Sequence, residues 1–332
     1  MTFDIPPAIT NAEPPLSLPC SEAEWRAPDP DSWYLLHTAP TAPPTPVYQD
    51  AQHSLFSRSD DVNTGIRWSH FGSFIMINSI CCQLWVLMKL RLAQPSLDLS
   101  SIDYALDLWQ RAWNADPDSS MSPTSPHGPL SFNASALYRM ANIRIFRDYS
   151  RVKASFRMHD IGRINTVLSE DVSGRGWERN QDMMRAIMPA TLQLQIPIKM
   201  GIKLVARTAA LIWSVEHVLS ATETGLFLYD WLRSIENDPP GTVLGREEQK
   251  ALGLVKELLG EADISIRDGE KLSAATLKVW AGTFDDVWVW GLTPMLAKTL
   301  RRFAEEQMDS PRRDSMLDSV SRISRPSVSF GS

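Results

Sequence analysis

Two adjacent carboxylates, Asp285 and Asp286, stand directly after Phe284. Helical enzymes of isoprenoid metabolism use such pairs to hold magnesium and diphosphate, because hard cations take oxygen ligands. That chemistry needs a third carboxylate three or four positions on, where this chain has Val289 and Trp290. The pair is therefore expected to cap a helix or form salt bridges. Glu216 and His217 make a second constellation, inside an apolar helical stretch, and residues of these types can exchange protons. Here the expectation is a satisfied buried pair, its imidazole bonded to a carboxylate or carbonyl of a neighbouring helix. A third feature is Arg312-Arg313-Asp314-Ser315. Basophilic kinases recognise arginines at that spacing, and a phosphate on Ser315 would invert the local charge, so Ser315 is a candidate phosphosite.

Other chemistries lack their residues. The three cysteines are Cys20, Cys81 and Cys82, with no Cys-x₂-Cys spacing and no close histidine pair beside them. No standard zinc site can be assembled from that set. Phosphate-cradling glycine loops and a G-x-S-x-G elbow are also absent. Two adjacent cysteines rarely pair with each other, which fits a reducing compartment. A net charge of −6 leaves the chain as a whole without the basic surface that binds a polyanion.

The elements that would position these residues read as helices. The 12 tryptophans point to a large aromatic core. Residues 1–60 hold nearly half of the 23 prolines and form an irregular arm. Trp25, Trp33, Tyr34 and Leu35 are expected to pin that arm to a helical domain over 61–308. Residues 71–88 carry no charge, but Ser73, Asn78, Ser79 and Gln83 interrupt them and Lys89 and Arg91 close them. They read as a buried core helix within 64–93, not a membrane span. Apolar spacing predicts a second helix over 97–115, with Ile102, Leu106, Trp109 and Trp113 on one face. Residues 116–130, rich in proline and serine, read as a disordered loop. Further helices are predicted over 131–149, 150–168, 177–188, 198–220, 222–236, 245–261 and 271–290. Gly291 breaks the last of these, and Thr293 then caps a final helix that carries Pro294 at its first position and runs to about residue 306. On that reading Trp288, in line with Phe284 and Leu292, is a core anchor and Trp290 faces elsewhere. The serine- and arginine-rich residues 309–332 read as a disordered tail. The fold class is all-α.

Several segments, in order, resemble a known family. They are Leu18-Pro19-Cys20 with Trp25, Ala27 and Trp33; Ala136-Leu137-Tyr138; Trp213-Ser214-Val215-Glu216-His217; and Leu226-Phe227-Leu228 with Trp231. Val279-Trp280-Ala281 follows, and then the most specific stretch, Asp285-Asp286-Val287-Trp288-Val289-Trp290-Gly291-Leu292-Thr293-Pro294. Across residues 18–304 the chain resembles the fungal-specific transcription factor regulatory domain of the xylanolytic-activator type, in the variant found behind two-Cys-two-His zinc fingers. The resemblance makes Trp213, Glu216, His217, Trp231, Trp280, Asp285, Asp286, Trp288, Trp290 and Pro294 a family-motif core. It implies a nuclear, non-catalytic protein that regulates RNA polymerase II genes. In the family, zinc belongs to the finger module, which these residues lack, so no cofactor is expected in this chain and DNA contact is expected to be indirect. The implied partners are other transcription regulators, as homo- or heterodimers. Two alternatives are an interaction protein that sequesters full-length regulators and, in a different class, a magnesium-dependent helical enzyme.

Overall fold

The computed structural model describes Asp4 and residues 16–40, 45–57, 67–94, 96–122, 125–174, 177, 179–267, 269–287 and 289–323. Side chains are described as far as Gln307, that of Ile212 excepted. Helices account for nearly all regular structure among the described residues, and one isolated bridge joins Ser17 to Val47. In chain order the helices are α1 (Glu22–Trp25), α2 (Pro30–His37), α3 (Tyr48–Phe56), α4 (His70–Arg91) and α5 (Ser100–Ala115). Next come α6 (Leu130–Phe146), α7 (Ser150–Ser155), α8 (Ile161–Gly174), α9 (Met184–Met200) and α10 (Ile202–Ile212). The last four are α11 (Val215–Glu236), α12 (Arg246–Glu261), α13 (Leu272–Phe284) and α14 (Leu292–Ile323).

The chain forms two compact units. Unit 1 comprises Met1–Arg157 with Thr208–Thr224, and unit 2 comprises Met158–Arg207 with Gly225–Ser332. In unit 1, α4 packs on α5 and α6 through Met76, Ile77, Ile80, Cys81 and Leu84, all buried. By length and composition α4 could cross a membrane; here its buried side is the centre of the unit, as its polar interruptions predict. On α5, Ile102, Leu106 and Trp109 are buried along the predicted stripe, and Trp113 packs at its edge. The Trp109 indole N–H donates to the Ser73 carbonyl at 2.9 Å, so this large side chain is buried without an orphaned donor. Cys81 lies under α6, its thiol 3.8 Å from the Leu137 carbonyl, and burial pushes its pKa up to about 12.

The arm differs from its expectation in two ways. It contains three short helices between its prolines, because Ser21 and Glu24 cap α1 reciprocally and Asp29 caps α2 ahead of Pro30. It is pinned to unit 1, but by other residues than predicted. Leu18 and Leu55 are buried, Leu18 N–H donates to the Pro46 carbonyl at 2.9 Å, and Gln52 donates to Ser79 Oγ at 2.8 Å. Trp25 is 79% exposed and Leu35 70%. The loop read as disordered takes a defined course over its described residues, where Ser120 N–H donates to Ser131 Oγ at 3.0 Å.

Unit 2 is built on α13 against α14 and α9, with α12 on α9 and α8 on α14. Several predicted boundaries move, among them the end of α14, which runs to Ile323 instead of about residue 306. Helix α9 runs through Pro189 and Pro197 to Met200, held by the burial of Ile187, Ala190 and Leu194 despite the lost donors. The stretch read as one helix over 198–220 is interrupted twice. Gly201 adopts φ +93°, a conformation that suits glycine at a helix end, and Trp213-Ser214 separates α10 from α11. Helix α13 ends at Phe284, six residues early, since two aspartates in a last turn oppose the helix dipole. Trp290 therefore lies in the turn between α13 and α14, not on a helix, and Trp288 lies outside the described residues. Thr293 is not a cap either: it sits inside the first turn of α14, fully buried, and its N–H and hydroxyl both donate to the Trp290 carbonyl.

Candidate functional site

A buried polar constellation lies in unit 1, between α6 and the part of α11 before Gly225. Asn133 Oδ1 accepts from Ser214 N–H at 3.3 Å, and the Ala136 carbonyl accepts from Ser220 Oγ at 2.7 Å, so both ends of this contact are hydrogen-bonded. The interruption at Trp213-Ser214 brings two motif residues together. His217 stacks on Phe132 (ring centroids 4.3 Å apart), and Trp213 packs against it at a tilt (4.4 Å, 42°). Its ring is fully buried, and neither nitrogen has a hydrogen-bond partner. Burial, reinforced by the nearby charge of Arg139, holds its pKa well below the ordinary histidine value. This corrects the expectation of a satisfied pair deep in a helix. Glu216 and His217 occupy the first turn of α11, Glu216 is only half-buried, and the two are not bonded to each other.

Seven residues after Phe132, two turns along α6, stands Arg139, 3% exposed. Its Nη1 donates to Ser135 Oγ at 3.2 Å and lies 3.8 Å from the Met121 sulfur, while Nε and Nη2 have no partner. Burial pulls its pKa down to about 10. Farther along α6, Arg144 is buried and compensated. Its Nε and Nη2 grip the Glu223 carboxylate at 2.8 and 2.5 Å, and Lys153 Nζ stands 3.6 Å from the same group. Burial works against all three charges. The attraction to Glu223 outweighs it for Arg144, whose pKa is raised, and Arg144 with Lys153 keeps the Glu223 carboxyl below its usual range. For Lys153 burial prevails, and its pKa is lowered.

The other motif residues lie in unit 2, with Trp231 and Trp280 in its core. Trp231 and Trp280 are fully buried. Gly225 lets α11 approach α13 closely: a Cβ there would stand 2.8 Å from Trp280 Cδ1. Phe227 meets Trp177 edge-on at 5.3 Å and Tyr229 meets Phe303 at 5.2 Å. Asp285 and Asp286 are exposed at the turn after α13, where Arg301 reaches Asp285 at 2.5 Å and Arg207 reaches Asp286 at 3.8 Å. They are salt-bridged, as predicted. Trp290 and Pro294 are partly buried. Trp288 and the side chain of Ser315 lie outside the described residues; the backbone of 309–323 forms the end of α14, and 324–332 lie outside the described residues too. No group of three or more His, Cys, Asp or Glu side chains with metal-binding geometry occurs among the described residues.

Sequence reading found Trp213 and His217 but missed Phe132, Arg139, Arg144, Lys153 and Glu223. The available signal was a charge on the apolar face of a helix: Arg139 and Arg144 punctuate α6, and Glu223 interrupts α11. Residues 148–302 match the family model of the fungal transcription factor C-terminal domain. That stretch of the chain is similar to a fungal transcription factor C-terminal domain. Neither a curated protein nor a solved structure matches the chain. The domain takes in the Trp213–His217 motif, the Leu226-Phe227-Leu228 and Trp231 motif, and the stretch from Val279 to Pro294, whereas the Leu18 and Ala136 motifs precede it. The similarity supports a role in transcription regulation in general terms. The buried polar constellation straddles the domain's edge, with Glu223, Lys153 and His217 inside and the whole of α6 before it.

Proposed function

We propose that the chain is the regulatory, non-catalytic part of a nuclear regulator of RNA polymerase II genes, acting through other transcription regulators and not by reading DNA itself. The observation that carries this reading is the match of residues 148–302 to the transcription factor C-terminal domain, whose motif tryptophans Trp231 and Trp280 are core residues of unit 2. Net charge −6 and the lack of zinc-site spacing favour an indirect route to DNA. Asp285 and Asp286, each engaged by an arginine at an exposed turn, favour a structural role over magnesium chemistry. The test fuses the full chain to an unrelated DNA-binding domain upstream of a reporter gene. A several-fold change in reporter output, up or down, is expected. An unchanged reporter together with capture of zinc-finger homologues in a pull-down would support the sequestering role instead. An unchanged reporter with no such capture overturns both.

A further inference from the structure

Helix α6 carries two buried arginines in contrasting states. Arg144 has its carboxylate. Arg139, five residues earlier, has none among the described residues: its contacts are a serine hydroxyl and a methionine sulfur, and two of its nitrogens are orphaned. A guanidinium cannot escape the cost of burial by shedding its proton at physiological pH. An unpaired charge in such a place costs several kcal/mol. The neighbouring groups lack partners too. His217 has Phe132 stacked on one ring face, Trp213 tilted against it and both nitrogens without a hydrogen-bond partner, and the buried Ser214 Oγ is also without one. Ser214 directly precedes the first turn of α11, a 22-residue helix whose leading N–H groups favour negative charge. Solvent is one side chain away, because Met121, which touches Nη1, is itself 45% exposed.

We propose that Arg139, His217, Ser214 and the start of α11 form a binding site for one small anion bearing a carboxylate or phosphate group, reached past Met121. The two orphaned guanidinium N–H groups offer the paired donors that take two oxygens of such an anion. A ring N–H of His217 and the Ser214 hydroxyl supply further donors, and the Phe132 and Trp213 walls keep water away. The proposal goes beyond the transcriptional reading and does not depend on it.

The test is calorimetric titration of the purified full chain with inorganic phosphate, acetate and succinate, each against chloride at equal ionic strength, with melting followed in parallel. One arm is expected to saturate at one anion per chain and raise the melting temperature; whether the phosphate or the carboxylate arm does so identifies the source chemistry. Arg139→Met is expected to weaken that binding about tenfold or more, the loss of a bidentate charged pair, while Arg207→Gln leaves it unchanged. Should Arg139→Met fail to fold, Arg139→Lys and the ¹⁵N shift of the arginine Nε–H groups in the unmodified chain supply the same readout, one Nε–H moving to saturation. A chain that no arm stabilises beyond chloride, or Arg139 variants that bind as the parent does, overturns the proposal and leaves water as the partner of Arg139.

Discussion

Unit 1 and unit 2 bury different things around one continuous helix. Before Gly225, α11 presents His217, Ser220 and Glu223 to a polar interior that includes Arg139, Arg144 and Lys153. From Gly225 onward it presents Phe227, Tyr229 and Trp231 to an aromatic interior with Trp280 and Phe303. An apolar core converts burial into stability at roughly 25 cal/mol per Å². A buried ion cluster does little better than break even, and its value lies in what it specifies. Along α11, the part after Gly225 therefore reads as the stabilising stretch, and the part before it as the place where binding or switching chemistry can reside, while unit 1 draws its own apolar stability from α4, α5 and α6.

The largest effect should come from the aromatic side. Trp280→Ala is expected to cost roughly 3–5 kcal/mol, seen as lost soluble yield and rapid limited proteolysis of the region from Met158 onward. A wild-type-like melt would show that the indole is not an anchor. The polar side has its own test. Glu223→Gln strands two buried cations and should cost about 3–5 kcal/mol, while the triple change of Arg144, Lys153 and Glu223 to Met should recover most of that in chemical denaturation. Failure of the triple variant to recover would mean that the cluster contributes net stability, and the contrast between the units would narrow.

The helices were legible wherever apolar spacing ran unbroken, as with Ile102, Leu106 and Trp109 on α5. The breaks at Gly201 and Trp213-Ser214 were not, because the apolar pattern continues across them and only a positive φ and tertiary packing reveal the ends. Burial of Arg139 and Arg144 was likewise hidden. A charge in a helix normally faces solvent, and it is the partner helix, distant in sequence, that reverses the rule. Trp25 and Leu35 erred the other way, since large apolar side chains on a surface are ordinary and do not by themselves prove docking.

Smaller effects sharpen the contrast. Gly225→Ala places a methyl against Trp280 and should cost about 1–3 kcal/mol, read as an earlier denaturation midpoint with an unchanged slope. His217 binds its proton less readily when folded than the ordinary histidine value of 6.5. Its contribution is therefore complete above pH 6.5 and declines as pH falls from there toward its depressed native value. The slope approaches about 1.4 kcal/mol per pH unit at most, and it should flatten in His217→Phe; an equal slope in both proteins would assign the pH dependence to other groups. Asp286→Ala removes an exposed, loose ion pair with Arg207 and should change stability by no more than about 0.5 kcal/mol. A loss of several degrees in melting would make that turn part of the core.

All three cysteines belong to unit 1, and unit 2 has none. Cys81, pressed against the Leu137 carbonyl and held protonated by burial, is closed to alkylating reagents while α4 and α6 stay together. Its labelling rate is thus an intrinsic clock for the opening of unit 1, to which events confined to unit 2 contribute no thiol. Adding a saturating anion or a partner protein and timing that one residue would tell which half of the chain each of them tightens.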